Sequence, residues 1–213
     1  MKVLVLPDDR WHPASTPRTG LQPLAGEFDF DWIENASGWS HERMAACPVT
    51  ILTKSNSISA QDERPWMTPE IEADFLNRVQ NGGGLLAIHS GMAGYQNNPV
   101  LRGLLGGVFD HHPEQCPVEI VPDQEHPICA NAPAYTIKDE HYFMTLDDPT
   151  AEVFMTTRST HGEQPGGWLR HAGLGRICVL TPGHNPEVWL HPSFQALIRN
   201  ALHWCANYSI TRW

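Results

Sequence analysis

Apolar residues in this chain fall into short continuous runs set between polar turns, and these runs alternate with stretches of helical period. Val3 to Leu6, closed by Pro7, reads as a first central strand. Phe28 to Ile33 and Val49 to Leu52 read as a second and a third. Thr68-Pro69-Glu70 is a helix start, with a capping hydroxyl, proline at the first helical position and acid in the first turn. Ile71, Phe75, Leu76 and Val79 then share one face, and Gly82-Gly83-Gly84 ends the helix. Leu85 to Ile88 follows as a buried strand, then a short helix over Pro99 to Leu105. Val118 to Val121 and Ala151 to Thr156 read as strands of a more irregular region. Trp168 to His171 and Arg176 to Leu180 read as a hairpin turning at Leu174-Gly175. Pro192 to Asn207 is an amphipathic helix that turns Phe194, Leu197, Ile198, Ala201, Leu202 and Cys205 inward. Pro7 to Gly26 has no period and reads as a long loop, with Arg10, Trp11 and His12 near its start. No repeat or composition break divides the chain. The pattern predicts one domain over residues 1–213, a three-layer α/β sandwich around a mostly parallel sheet.

Composition narrows the function. Hydrophobic residues make up 41% and charged residues 18%, a globular balance. A formal net charge of −10 argues against a nucleic-acid binder, because no basic patch is visible to displace phosphate counterions. No stretch approaches a membrane span or a secretory signal. Five cysteines (Cys47, Cys116, Cys129, Cys178, Cys205), scattered and odd in number, read as reduced thiols of a cytoplasmic protein.

The chemistry lies in the twelve histidines. His89 and His184 both sit just past apolar strands in glycine-flanked turns, and open α/β sheets bind ligands at the carboxyl ends of their strands. If the two strands are near neighbours, the two imidazoles converge on one crevice. Asp110-His111-His112-Pro113 follows a Gly-Gly turn, and Asp139-Glu140-His141-Tyr142 occupies a polar loop. His126, His191 and His203 read as structural, the first two each standing before a proline. Trp11, Trp66 and Trp189 are candidates to stack on a sugar face.

Taken together, Gly82 through Ser90, Leu104 through Pro113, His126-Pro127-Ile128, Asp139 through Phe143, Gly183 through Trp189 and Phe194 through Trp204 resemble the ThuA-like (trehalose-utilisation) family. The resemblance runs in consistent order from about Gly82 to Cys205; before that only the first strand matches. It implies a flavodoxin-like fold of the class I glutamine amidotransferase kind. The nucleophile turn of that fold corresponds to Ala87-Ile88-His89-Ser90-Gly91-Met92, with His89 in place of cysteine, so glutamine hydrolysis through a thioester has no nucleophile.

The family implies carbohydrate metabolism and, for these residues, the processing of 3-keto-glycosides. A ketone at C3 acidifies the C2 hydrogen, and removing it gives an enediolate that either isomerises or expels the C1 substituent. The roles expected are Glu140 as general base and Asp139 orienting a neighbour or binding sugar hydroxyls, with His89 also lining the catalytic pocket. His89, His112 and His184 are the expected ligands of a divalent metal, zinc or manganese, if one binds. Ser90, His111, Asn185 and Trp189 are the expected substrate contacts, and no nucleotide cofactor is implied. Two rivals stand beside this reading: a carbohydrate-binding or regulatory protein without turnover, and a hydrolase using metal-bound water. For Tyr208-Ser209-Ile210 and Trp213 the alternatives are contact with a second copy in a homo-oligomer or a tail folded back on its own domain.

Overall fold

Val3 to Leu6 lie fully buried in β1 (Lys2–Pro7), with alternate side chains committed to opposite layers. Val3 and Val5 pack on one face of the sheet and Leu4 and Leu6 on the other. The computed structural model describes residues 1–207, so the tail from Tyr208 to Trp213 lies outside the described residues. Strand β1 is flanked in parallel by β2 (Asp29–Trp32) and β3 (Val49–Thr53); β4 (Gly84–Ile88) and β11 (Gly175–Leu180) continue the parallel set. Four antiparallel strands extend it: β10 (Gly162–Ala172), β9 (Glu152–Ser159), β6 (Cys116–Pro122) and β7 (Tyr135–Asp139). The sheet order is β2-β1-β3-β4-β11-β10-β9-β6-β7. A separate antiparallel pair joins β5 (Gly107–His111) to β8 (Phe143–Leu146).

Helices cover both faces. Strands β4 and β11 are buried on both sides, which is why they read as unbroken apolar runs. On one face α1 (Ser15–Leu21), α5 (Pro186–Leu190) and α6 (Pro192–Cys205) contribute Leu21, Val188, Trp189, Phe194, Leu197 and Ile198 to the core. On the other, α2 (His41–Ala45), α3 (Pro69–Gln80) and α4 (Pro99–Leu105) contribute Met44, Phe75, Val79, Leu101, Leu104 and Leu105. Thr68 caps α3 as expected, its hydroxyl accepting the Ile71 N–H at 3.4 Å. Each of the large apolar side chains contributes about 1.5–3 kcal/mol by leaving water. Among the described residues no helix is long and apolar enough to cross a membrane.

Two expectations are corrected. The stretch from Pro7 to Gly26 is not one long loop, because it contains α1 and a short 3-10 turn at Gln22–Leu24. Pro17, Gly20 and the β-branched Thr16 and Thr19 are poor helix formers, so α1 owes its shape to packing. A Cβ at Gly20 would lie 2.4 Å from Cβ of Trp189, so only glycine lets α1 and α5 approach this closely. The hairpin turns one residue earlier than expected, at Gly173-Leu174, with Ala172 paired to Gly175 and Gly173 at φ +59°.

Candidate active site

The carboxyl ends of the parallel strands converge on one corner. Strands β4 and β11 are directly paired, Ile88 opposite Leu180, so the residues leaving them are neighbours. His89 leaves β4 with φ +49°, a left-handed backbone that favours glycine and is rare elsewhere. This is the sharp turn that the amidotransferase comparison anticipates. Gly91 is required just beyond it, since a Cβ there would lie 2.1 Å from the Leu52 carbonyl oxygen.

His89 is buried, and its Nδ1 lies 2.9 Å from the Thr181 carbonyl oxygen. A carbonyl only accepts, so Nδ1 carries a proton, and in the neutral ring Nε2 keeps its lone pair. That Nε2 lies 3.3 Å from Oε2 of Glu140, which stands in the loop after β7. His184, in the turn after β11, places Nδ1 3.1 Å from Glu140 Oε1. The third imidazole is His12, from the loop after β1. Its Nδ1 is 2.8 Å from Asp9 Oδ1 and its Nε2 is 3.9 Å from Glu140 Oε2. The facing nitrogens of His12, His89 and His184 are all buried without a hydrogen-bond partner: Glu140 is within ion-pair distance but not aligned to bond them. One donor atom from each of His12, His89, Glu140 and His184 can be chosen so that all lie within 4.8 Å of one another.

The charges follow from this crowding. Burial drives His89 down to about 4, the neighbouring His12 adding to the effect against Glu140. Burial alone would lower His12 too, but Asp9 and Glu140 outweigh it and lift it to about 9. Burial opposes ionisation of Asp9, yet His12 and the Ser55 and Trp11 amides hold it down at about 2. Burial would also raise Glu140, but His12, His184 and His89 pull it far below the usual carboxylate range. Glu140 is therefore a fixed negative charge ringed by imidazoles. The neutral His89 lone pair and the Glu140 oxygen are two acceptors facing each other, an arrangement that calls for a cation between them.

The expected site residues divide. His89, His184 and Glu140 meet as anticipated. His12 is an addition, and its signal was available in sequence: it follows the first parallel strand, on the same edge as His89. His112, the other expected ligand, lies nearby with Nε2 3.6 Å from Glu140 Oε1, but its side chain is 35% exposed and it stands outside the close group of His12, His89, Glu140 and His184. Tyr142 lies between, stacked on His89 with ring centroids 4.0 Å apart and on His112 at 5.9 Å. His111 faces elsewhere, paired with Asp110 and stacked on Phe143.

Asp139 does not reach toward sugar hydroxyls. It is buried, pushed up to about 6 by that burial, and both its oxygens accept backbone N–H groups, from Gly183 at 2.8 Å and His184 at 3.0 Å. It holds the backbone at the turn that carries His184. Trp189 is fully buried, its indole N–H donating to the Gly183 carbonyl at 2.6 Å, so it cannot touch substrate. Ser90 is likewise fully buried. The Asn185 amide is spent on Gln115 and the Lys138 carbonyl. Trp66 is buried with its N–H on Tyr95, whereas Trp11, next to His12, is 67% exposed. Four of the five cysteines are not poised nucleophiles: burial pushes Cys129 and Cys205 up to about 12, Cys178 well above the ordinary thiol value, and Cys47 upward as well.

Comparison with known proteins agrees with this architecture. A putative ThuA-like protein from Parabacteroides merdae superposes with a TM-score of 0.78 at 18% identity, over 97% of this chain and 90% of that one. A second, from Bacteroides uniformis, gives 0.73 at 20% identity, over 96% and 91%. A cytoplasmic protein from Salmonella typhimurium gives 0.66 at 17% identity, over 96% and 99%. At these identities the likeness establishes the fold. No protein of curated function matches the chain by sequence. The family model described as trehalose utilisation matches residues 2–205, and the chain therefore belongs to the ThuA family, whose business is with carbohydrate.

Proposed function

We propose that this protein is an enzyme acting on a keto-sugar of the 3-keto-glycoside class, removing the proton beside the carbonyl with the help of a divalent cation. The observation that carries the reading is the unprotonated His89 Nε2 facing the Glu140 carboxylate at 3.3 Å, with the unpartnered His12 and His184 nitrogens turned to the same point. Ligand atoms about 2.0–2.1 Å from a tetrahedral zinc lie roughly 3.3 Å apart, close to the 3.1 and 3.3 Å found from Glu140 to His184 and His89. Asp9 on His12 and the Thr181 carbonyl on His89 are the outer partners that fix which nitrogen faces inward. Three imidazoles and one carboxylate suit zinc or manganese, His12 joining once the cation displaces the proton that Asp9 and Glu140 otherwise hold on it.

A cation held by His12, His89, His184 and Glu140 would supply positive charge to stabilise the oxyanion that develops at the sugar carbonyl. Glu140, engaged by the imidazoles around it, serves as ligand and not as base. His112 is then the imidazole free to take the C2 proton, since it borders Glu140 and opens to solvent. Tyr142 keeps its ring between the ligand group and His112 and so walls off one side of the pocket. Returning the proton at C3 gives the 2-keto isomer, whereas the carbanion at C2 expelling the C1 substituent with its bonding electrons cleaves the glycoside and leaves a C1=C2 double bond.

The test is exchange of the sugar C2 hydrogen in heavy water. With a 3-keto-glucoside and added zinc or manganese, the protein should incorporate deuterium at C2, and the metal-free protein should not. No incorporation with either metal contradicts the proposal. A product that carries label from oxygen-18 water at the cleaved carbon, without C2 exchange, favours hydrolysis by metal-bound water instead.

A further inference from the structure

Trp189 and Asp139 hold opposite ends of one peptide group. The peptide joining Gly183 to His184 offers its carbonyl to the Trp189 indole N–H at 2.6 Å and its N–H to Asp139 Oδ1 at 3.0 Å. The second oxygen of Asp139 takes the preceding Gly183 N–H at 2.8 Å. The turn is also wedged from the sides: a Cβ at Gly183, where φ is +140°, would meet His89 Cβ at 3.2 Å and Trp189 Nε1 at 3.3 Å. Trp189 is anchored in turn, for the Gln195 amide bonds both its carbonyl and that of Gly20. None of these side chains reaches the pocket, yet together they fix the plane from which the His184 side chain departs.

We infer that Trp189 and Asp139 form a positioning clamp that sets the direction of His184, so that an aromatic residue buried beneath α1 governs how well the site holds its cation. The inference rests on the proposed cation site. It goes further in assigning an affinity-determining role to a residue that touches neither cation nor sugar. Outer partners of this kind typically change metal affinity 10–100-fold when removed.

The test compares Trp189→Phe, which keeps a ring but loses the N–H, with Phe194→Leu. Phe194 packs edge-on against Trp189 in the same core, 6.1 Å between centroids, and leaves the clamp whole. Two readings are taken on the full chain: zinc affinity by competition with a chromogenic chelator, and hydrogen exchange of the His184 amide in metal-free protein. The clamp predicts that Trp189→Phe weakens zinc 10–100-fold and speeds His184 exchange at least about tenfold, while Phe194→Leu lowers the melting temperature without either change. Wild-type zinc affinity together with wild-type exchange in Trp189→Phe overturns it. So do equal losses in both variants, which would mark a merely structural role. If the wild type binds no zinc but Trp189→Phe still speeds exchange, the cation reading fails and the clamp stands. Should Trp189→Phe not fold, Asp139→Asn loosens the same peptide from its N–H end and is judged by the same two readings.

Discussion

The parallel and antiparallel halves of the sheet contribute different things to the same corner. From the parallel half come three nitrogens: His12 after β1, His89 after β4 and His184 after β11. From the antiparallel half and its accessory pair come the carboxylate and the rim: Glu140 after β7, Tyr142 just before β8, and His112 just past β5. The His89 and His184 nitrogens are set by strand ends that pair directly, Ile88 opposite Leu180, and His12 comes from β1, one strand further along beyond β3. The carboxylate arrives from β7 at the far edge of the nine-stranded sheet, four strands beyond β11, and loops return it to the centre. The imidazoles thus stand where the sheet is buried on both faces, and the negative charge they surround comes from an edge strand that is half exposed.

This division can be tested residue by residue. The largest effect is expected where the halves have separate roles. His112→Gln should leave zinc affinity within about twofold of wild type and slow C2 exchange at least about 100-fold, as loss of a proton-transfer group does. A parallel loss of affinity would place His112 among the ligands and erase the distinction between rim and ligand group.

A smaller effect probes the parallel half alone. Lys54, immediately after β3, is fully buried, its ammonium donating to the Ile58 carbonyl at 2.8 Å and more weakly to Glu34. Burial lowers it from 10.5 to about 8, against the pull of Asp8 and Asp9. Below pH 8 both folded and unfolded chains carry the charge, and the folded state bears its full desolvation cost. Between about pH 8 and 10.5 the unfolded chain binds more protons, so stability rises with pH through that window. The gain is on the order of 3 kcal/mol if nothing else titrates. Chemical denaturation of wild type and Lys54→Met at pH 7.5 and 9.5 checks this as a difference: His12, lifted to about 9, loses its stabilisation over the same window in both chains, so the wild type should gain relative to Lys54→Met. Parallel pH curves would contradict it.

Most of the sheet is readable in sequence, the antiparallel β6, β9 and β10 included, and the exceptions are instructive. Strands β1, β3 and β4 announce themselves as apolar runs because both their faces are covered. Helices α3, α4 and α6 carry a period and a proline at their start. By contrast α1, with Pro17 and Gly20 inside it, exists because Gly20 admits Trp189, a contact between distant segments that no local pattern encodes. The pair β5–β8 and strand β7 were missed because short, half-exposed strands resemble polar loops. The site divides in the same way. His89 and His184 could be placed from strand ends, and the same rule applied to β1 would have added His12, which the loop reading passed over. Trp189 and Asn185 looked like pocket residues by their order along the chain, and only packing shows one buried beneath the turn and the other tied to Lys138 and Gln115.

The central claim is that two halves of one sheet close around a single cation. Titrating the metal-free protein with cobalt(II) reads it directly, because the visible spectrum reports both stoichiometry and ligand field. One tight equivalent with the intense bands of a four- or five-coordinate nitrogen–oxygen site is expected. His12→Gln should weaken it and Glu140→Gln should lose it. A spectrum showing only hexaaqua cobalt, or one unchanged in Glu140→Gln, would contradict the account.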